Sequence, residues 1–137
     1  MSKRLLVVDD DALFRQMLVE ILETQGYEVF PARNGVEGFE VFQKTPHLDV
    51  VITDIRMPKK NGFELTRDIH EVAPETPIIL ISGWYDPLRE IPGREVALAL
   101  RRNDSPYIRF LKKPFRISQL MGVIKEFTHS QRRAGAA

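Results

Sequence analysis

The chain has 137 residues, 43% hydrophobic and 28% charged, with a formal net charge of +1 at pH 7, the profile of one soluble globular domain with enough chain to bury a core. It contains no cysteine, which excludes disulfides, thiolate metal sites and a thiol nucleophile and suits a reducing compartment; the expected localisation is cytoplasmic. No apolar run reaches the length of a membrane span, and the N-terminus lacks the apolar core of a secretory signal, so no membrane partner is expected.

The first element is predicted over Leu5–Val8, four aliphatics that run directly into Asp9 and Asp10. A helix follows, with Leu13, Phe14, Met17, Leu18, Ile21 and Leu22 forming one apolar stripe, Asp11 as its N-cap and Gly26 at its end. Tyr27–Phe30 is a weaker strand. Asn34, with Glu37 three residues on, marks the start of a second helix using Val36, Phe39 and Phe42. Val50–Ile52 is a third strand running on to Asp54. Asn61-Gly62 opens a third helix whose Phe63, Leu65, Ile69 and Val72 face inward, ending near Pro74. Ile78–Ile81 and Tyr107–Leu111 are further strands, separated by "GWYDPLREIPGREVALALRRNDSP". That stretch holds three prolines and Gly93 and predicts an irregular loop followed by a fourth helix over 94–102. The last helix uses Ile117, Leu120, Met121, Ile124 and Phe127. Beyond Thr128 the pattern ends, so the expected division is a domain over 1–128 and a flexible tail over 129–137.

Uninterrupted β-branched runs of this length indicate strands covered on both faces. Strand and helix alternate five times, which predicts an α/β fold, a (βα)5 doubly wound parallel sheet. In such sheets the functional crevice lies beyond the C-terminal ends of the strands, where strand order reverses. That rule selects Asp9 and Asp10 after the first strand, Asp54 at the end of the third, Ser82 after the fourth and Lys113 after the fifth.

Three carboxylates in one crevice repel each other by about 3 kcal/mol per pair at ~5 Å and an effective dielectric of ~20. They persist by protonation, by pairing with a cation such as Lys113, or by holding a metal. Few carboxylates with room for water suit Mg²⁺, and a metal beside Lys113 and the Ser82 hydroxyl would attract a phosphoryl group. Asp54 would then be the nucleophile toward phosphorus.

"VVDD" (Val7 to Asp10), "DIRMPKKNG" (Asp54 to Gly62), "IILISG" (Ile78 to Gly83) and "KKPF" (Lys112 to Phe115), in this order and each at a strand end, resemble the receiver domain of bacterial response regulators, the CheY-like fold. The resemblance covers about Lys3 to Phe127. It implies the flavodoxin-like strand order 2-1-3-4-5, Asp54 as phosphoacceptor, and Mg²⁺ held by Asp9, Asp10, Asp54 and the Arg56 backbone carbonyl. It also implies that Lys113 contacts the phosphoryl group ahead of a cis bond to Pro114. Ser82 falls at the hydroxyl switch position and Phe110 at the aromatic one. Arg56 and Trp84 stand where relatives tune dephosphorylation. Implied partners are a sensor histidine kinase or histidine phosphotransfer protein and a downstream protein, with no separate substrate turned over.

Each residue alone has a plainer reading: Asp11 as a cap, Lys113 as a solvated lysine, Phe110 as core. The three histidines carry no role. Two rivals remain. An aspartyl-phosphate phosphatase needs an acid two residues after the nucleophile, where this chain has Arg56. A pseudo-receiver would bind partners without accepting phosphate, and the Ser82–Lys113 interval, longer than the family's and without its small-residue turn, is the feature that favours it. Residues 1–100 carry 11 Lys/Arg against 17 Asp/Glu, and the remainder 9 against 2. These scattered cations follow no recognition-helix pattern, so nucleic acid is not an expected partner. No output domain is recognisable after the receiver-like region.

Overall fold

The apolar runs become five parallel strands in the order β2-β1-β3-β4-β5, formed by β1 (Arg4–Val8), β2 (Glu28–Ala32), β3 (Val50–Asp54), β4 (Ile78–Ser82) and β5 (Ile108–Lys112). This is a computed structural model, and it describes residues 2–83, 91–93, 95 and 105–136. The order is that of the flavodoxin-like, CheY-like α/β fold. Of the predicted helix over 94–102 only residue 95 is described, and of the irregular segment before it only 83 and 91–93; Trp84 lies outside the described residues.

The sheet buries both faces because alternate strand residues feed separate cores. Leu5, Val7, Val50, Ile52, Ile79 and Ile81 pack with Leu18 and Leu22 of helix α1 (Ala12–Thr24) and with Leu120, Ile124 and Phe127 of the C-terminal helix (Ile117–Ala136). On the opposite face Leu6, Val8, Val51, Ile78, Leu80 and Ile108 pack with Phe63, Leu65 and Ile69 of α3 (Gly62–Val72). Helix α2 (Gly35–Lys44) joins this second face.

The caps are those expected. Asp11 accepts the Leu13 and Phe14 N–H groups at 3.1 Å each, Asn34 accepts that of Glu37 at 2.9 Å, and Asn61 with Glu64 forms a reciprocal capping box. Gly26 ends α1 with φ 94°, a conformation glycine adopts without steric cost.

Several side chains sit differently from the periodic pattern. Only Leu18 and Leu22 of the α1 stripe are buried, whereas Leu13 and Met17 are 80% and 48% exposed. Six apolar positions span a wider arc than the sheet can cover. Val72, expected inside, is also exposed. Helix α2 meets β1 through Gly38 and the loop after Asp54 through Gly35, both buried, with Phe39, Val41 and Phe42 packed on the same core and Val36 exposed. A Cβ on Gly38 would stand 3.0 Å from a Val8 methyl, so the close approach at this position needs a residue without a side chain. The C-terminal helix runs through Ala136, so residues 129–136 continue it past Phe127 and Thr128, in a stretch that holds no proline. No helix among the described residues is long and apolar enough to cross a membrane.

Candidate functional site

Strand register brings the selected residues to one edge. Val8 lies beside Thr53, Asp54 beside Ile81, and Ser82 beside Lys112. Asp9 and Lys113 each extend their strand by one backbone bond: Asp9 N–H donates to Ala32 O at 3.1 Å and Lys113 N–H to Ser82 O at 2.8 Å. The Lys113–Pro114 peptide bond is cis, as the resemblance implied.

Asp9, Asp10 and Asp54 each present a carboxylate oxygen within 4.8 Å of the others, and no other group of three His, Cys, Asp or Glu side chains among the described residues converges in this way. Their surroundings differ. Asp9 is buried, Asp54 half-buried and Asp10 exposed. Asp9 Oδ1 accepts the Asp11 N–H at 2.9 Å, while its Oδ2 is buried without a hydrogen-bond partner and faces Lys113 Nζ at 3.8 Å. Asp54 Oδ1 accepts the Ile55 N–H at 2.9 Å.

Burial pushes the Asp9 carboxyl above its ordinary range, against the Asp11 N–H and the Lys113 charge. Asp54 is pushed up to about 7, first by burial and then by the charge of Asp9, with Lys113 and the Ile55 N–H pulling the other way. Three converging carboxylates, one carrying a buried oxygen with no hydrogen-bond partner, are a donor set for a hard divalent cation. The site fits such an ion.

Ser82 is buried at the end of β4. The Arg56 side chain is exposed in the loop that follows Asp54. Phe110 is half-buried, its ring centroid 6.4 Å from that of Phe63. Trp84 is outside the described residues.

Three residues reach the site that the sequence did not single out for it. Phe14, read as core, places its ring 4.2 Å from Lys113 Nζ, a cation–π distance. Arg15 Nη1 donates to the Asp9 carbonyl at 2.6 Å and so braces the turn bearing both aspartates. Asn61 closes the loop that begins at Asp54. Only the last had a local signal, its capping pattern with Glu64. Beside Lys113, Phe14, Met17, Ile21, Phe115 and Ile117 line an apolar cleft open to solvent.

Residues 5–125 match the family described as response regulator receiver domain. Among curated proteins, the transcriptional regulatory protein AruR of Pseudomonas aeruginosa is 35% identical over 141 residues, covering 100% of this chain and 55% of its own length. The response regulator receiver protein CpdR of Brucella abortus is 34% identical over 126 residues, covering 90% and 95%. A solved CheY-like receiver domain protein from Methanospirillum hungatei superimposes with a TM-score of 0.81 at 27% identity, covering 98% of this chain and 99% of its own. The chain thus spans about half the length of AruR and nearly all of CpdR.

Proposed function

Since the chain belongs to the response regulator receiver domain family, we propose that it receives a phosphoryl group from a phosphohistidine onto Asp54 and signals through a change at a protein-binding face. The observation that carries this reading is the convergence of the Asp9, Asp10 and Asp54 carboxylates with Lys113 3.8 Å from Asp9. The donor would be a sensor histidine kinase or a histidine phosphotransfer protein, the listener a downstream protein, and the receiver unit residues 1–128.

Asp9, Asp10, Asp54 and the Arg56 carbonyl would hold Mg²⁺, whose charge offsets that of the phosphoryl oxygens when it is bound. In the transfer, a carboxylate oxygen of Asp54 attacks phosphorus as the P–N bond to the donor imidazole breaks. The imidazole nitrogen keeps that electron pair and takes a proton from solvent. Lys113 pairs with a phosphoryl oxygen, and its charge also favours the ionised, nucleophilic form of Asp54. Ser82 donates its hydroxyl to the new phosphoryl group, and Phe110 packs differently once Ser82 has moved. Water attack on phosphorus later returns the Asp54 carboxylate and releases inorganic phosphate. No separate substrate is turned over, and Arg56 cannot serve as the acid–base group that an aspartyl-phosphate phosphatase places two residues after its nucleophile.

The apolar cleft beside Lys113, with Leu13 and Met17 exposed on α1, is where the donor protein would rest while its imidazole reaches Asp54. Incubation with Mg²⁺ and acetyl phosphate, followed by intact-mass measurement, tests the chemistry. The expected result is a gain of one phosphoryl group that Asp54→Asn abolishes. An unchanged mass in the parent would favour the pseudo-receiver, and labelling that survives Asp54→Asn would move the acceptor elsewhere.

A further inference from the structure

Asn61 ends the loop that starts at the acceptor, and its one buried side chain serves two segments of the chain. Its Oδ1 accepts the Glu64 N–H at 2.9 Å, capping α3, and its Nδ2 donates to the Pro92 carbonyl at 2.8 Å. One partner is a donor and the other an acceptor, so the amide has a single satisfied orientation. Asn61 is 7% exposed, and losing either bond would strand a buried polar group.

The contact with Pro92 is reinforced on both sides. Ile91 is buried in the same core as Phe63 and Ile108. Gly93 has φ 87°, and a Cβ there would stand 3.2 Å from Glu64 Cγ and 3.4 Å from Phe63 Cβ. Residues 91–93 are therefore seated on the first turn of α3. At the other end of that turn, Gly62 N–H donates to Ile55 O at 2.8 Å, and a Cβ on Gly62 would lie 2.3 Å from Asp54 O. The loop from Asp54 to Gly62 is thus closed at its neck with no room for slack, and a displacement of Asp54 and Ile55 is carried to Gly62 and its neighbour Asn61.

We propose that Asn61 couples the acceptor loop to residues 91–93, so that this segment responds to occupancy of the Asp54 site by a path separate from Ser82 and the end of β4. The coupling rests on the acceptor reading above, and it is carried by two bonds of one amide, a contiguous physical link of the kind that transmits free energy between sites.

The test uses Asn61→Asp, which keeps an oxygen to cap α3 but has no hydrogen for Pro92. Asn61→Ser, also a good cap, is the second variant, too short to span both partners. Backbone amide resonances of Ile55, Gly62 and Gly93 are followed by NMR while Mg²⁺ and beryllofluoride are titrated. In the parent all three should move with one midpoint. In both variants Ile55 and Gly62 should still move, while the Gly93 shift falls by about threefold or more. A Gly93 shift of undiminished size in a folded variant would overturn the coupling, as would a Gly93 signal that stays still in the parent while Ile55 and Gly62 move. If Ile55 and Gly62 are themselves unmoved in the parent, the acceptor reading fails and the coupling fails with it.

Discussion

Lys113 Nζ stands 3.8 Å from Asp9 Oδ2, a buried oxygen that accepts no hydrogen bond. The two belong to different strand ends, and among the described residues the ammonium is the cation paired with this oxygen. Removing the cation leaves a buried carboxylate that must protonate or stay unpaired. Lys113→Met should therefore lower apo stability at pH 8 by about 1–2 kcal/mol, a modest figure because the lysine is partly solvated. The loss should shrink at low pH, where Asp9 is protonated in both proteins. Urea unfolding at the two pH values checks this, and equal stability at pH 8 would show that the pair is only proximity.

The pH dependence of apo stability should contain contributions of opposite sign, from the raised carboxyls of Asp54 and Asp9 on one side and from His70 on the other. Asp54 is raised from 3.8 to about 7, so between those values the folded state holds a proton that the unfolded state has lost. Stability from this group is lost as pH rises through that window. His70 is lowered from 6.5 by burial, with its Nε2 2.9 Å from Thr76 O. The unfolded state takes the proton first, so stability from this group is lost as pH falls below about 6.5. Asp54→Asn should flatten the first slope, leaving the share of the raised Asp9 carboxyl, and His70→Gln should remove the second. Unfolding curves across pH 4–8 for the three proteins separate them, and parallel profiles would deny both shifts.

Asp10 is exposed and its charge raises the carboxyls of both Asp9 and Asp54. Asp10→Asn should weaken Mg²⁺ binding by calorimetric titration while apo stability stays equal or rises by up to about 1 kcal/mol. A clearly less stable apo variant would make Asp10 a structural residue.

Glycines at the site are required by space. A Cβ on Gly35 would meet Lys60 O at 2.3 Å, and one on Gly62 would meet Asp54 O at 2.3 Å, both backbone atoms. Gly35→Ala and Gly62→Ala should each cost about 1–3 kcal/mol, with Gly62→Ala also weakening Mg²⁺ binding because Asp54 must move. Gly122, exposed on the C-terminal helix with nothing within 4 Å of its would-be Cβ, is the control. Gly122→Ala should stabilise by about 0.5–1 kcal/mol. Thermal unfolding of the three variants decides, and unaltered stability in the first two would mean that the backbone yields there.

The lifetime of the phosphorylated state should be long. Hydrolysis needs a water in line with the Asp54–phosphorus bond. The sequence places Arg56 two residues after the acceptor and Trp84 two after Ser82, and neither side chain can act as a base toward water. An indole at this position would also screen the in-line water by its bulk, which alanine would not. Trp84→Ala should therefore speed loss of the acyl phosphate in a time course, and an equal or slower rate would remove the indole from the mechanism.

Much of this protein was legible in one dimension. Strands buried on both faces are continuous apolar runs, and functional groups of a doubly wound sheet follow the strand ends, so Asp9, Asp10, Asp54, Ser82 and Lys113 could be selected without coordinates. Caps at Asp11, Asn34 and Asn61 are local, because donor and acceptor lie within one turn. Tertiary structure decided what local pattern cannot encode. A helical period tells which residues share a face but not how much of that face a sheet will cover, which is why Leu18 and Leu22 are buried while Leu13 and Met17 remain exposed. Phe39 and Phe42 announced the packing of α2, but its close approaches at Gly35 to Lys60 and at Gly38 to Val8 left no hydrophobic signature, since glycine marks them by the absence of a side chain. The lone oxygen of Asp9 opposite Lys113, and the bond from Asn61 to Pro92 across 31 residues, exist only once the chain has closed on itself. Contacts between distant positions carry no periodicity, and burial makes them consequential by removing the water that would otherwise satisfy those groups.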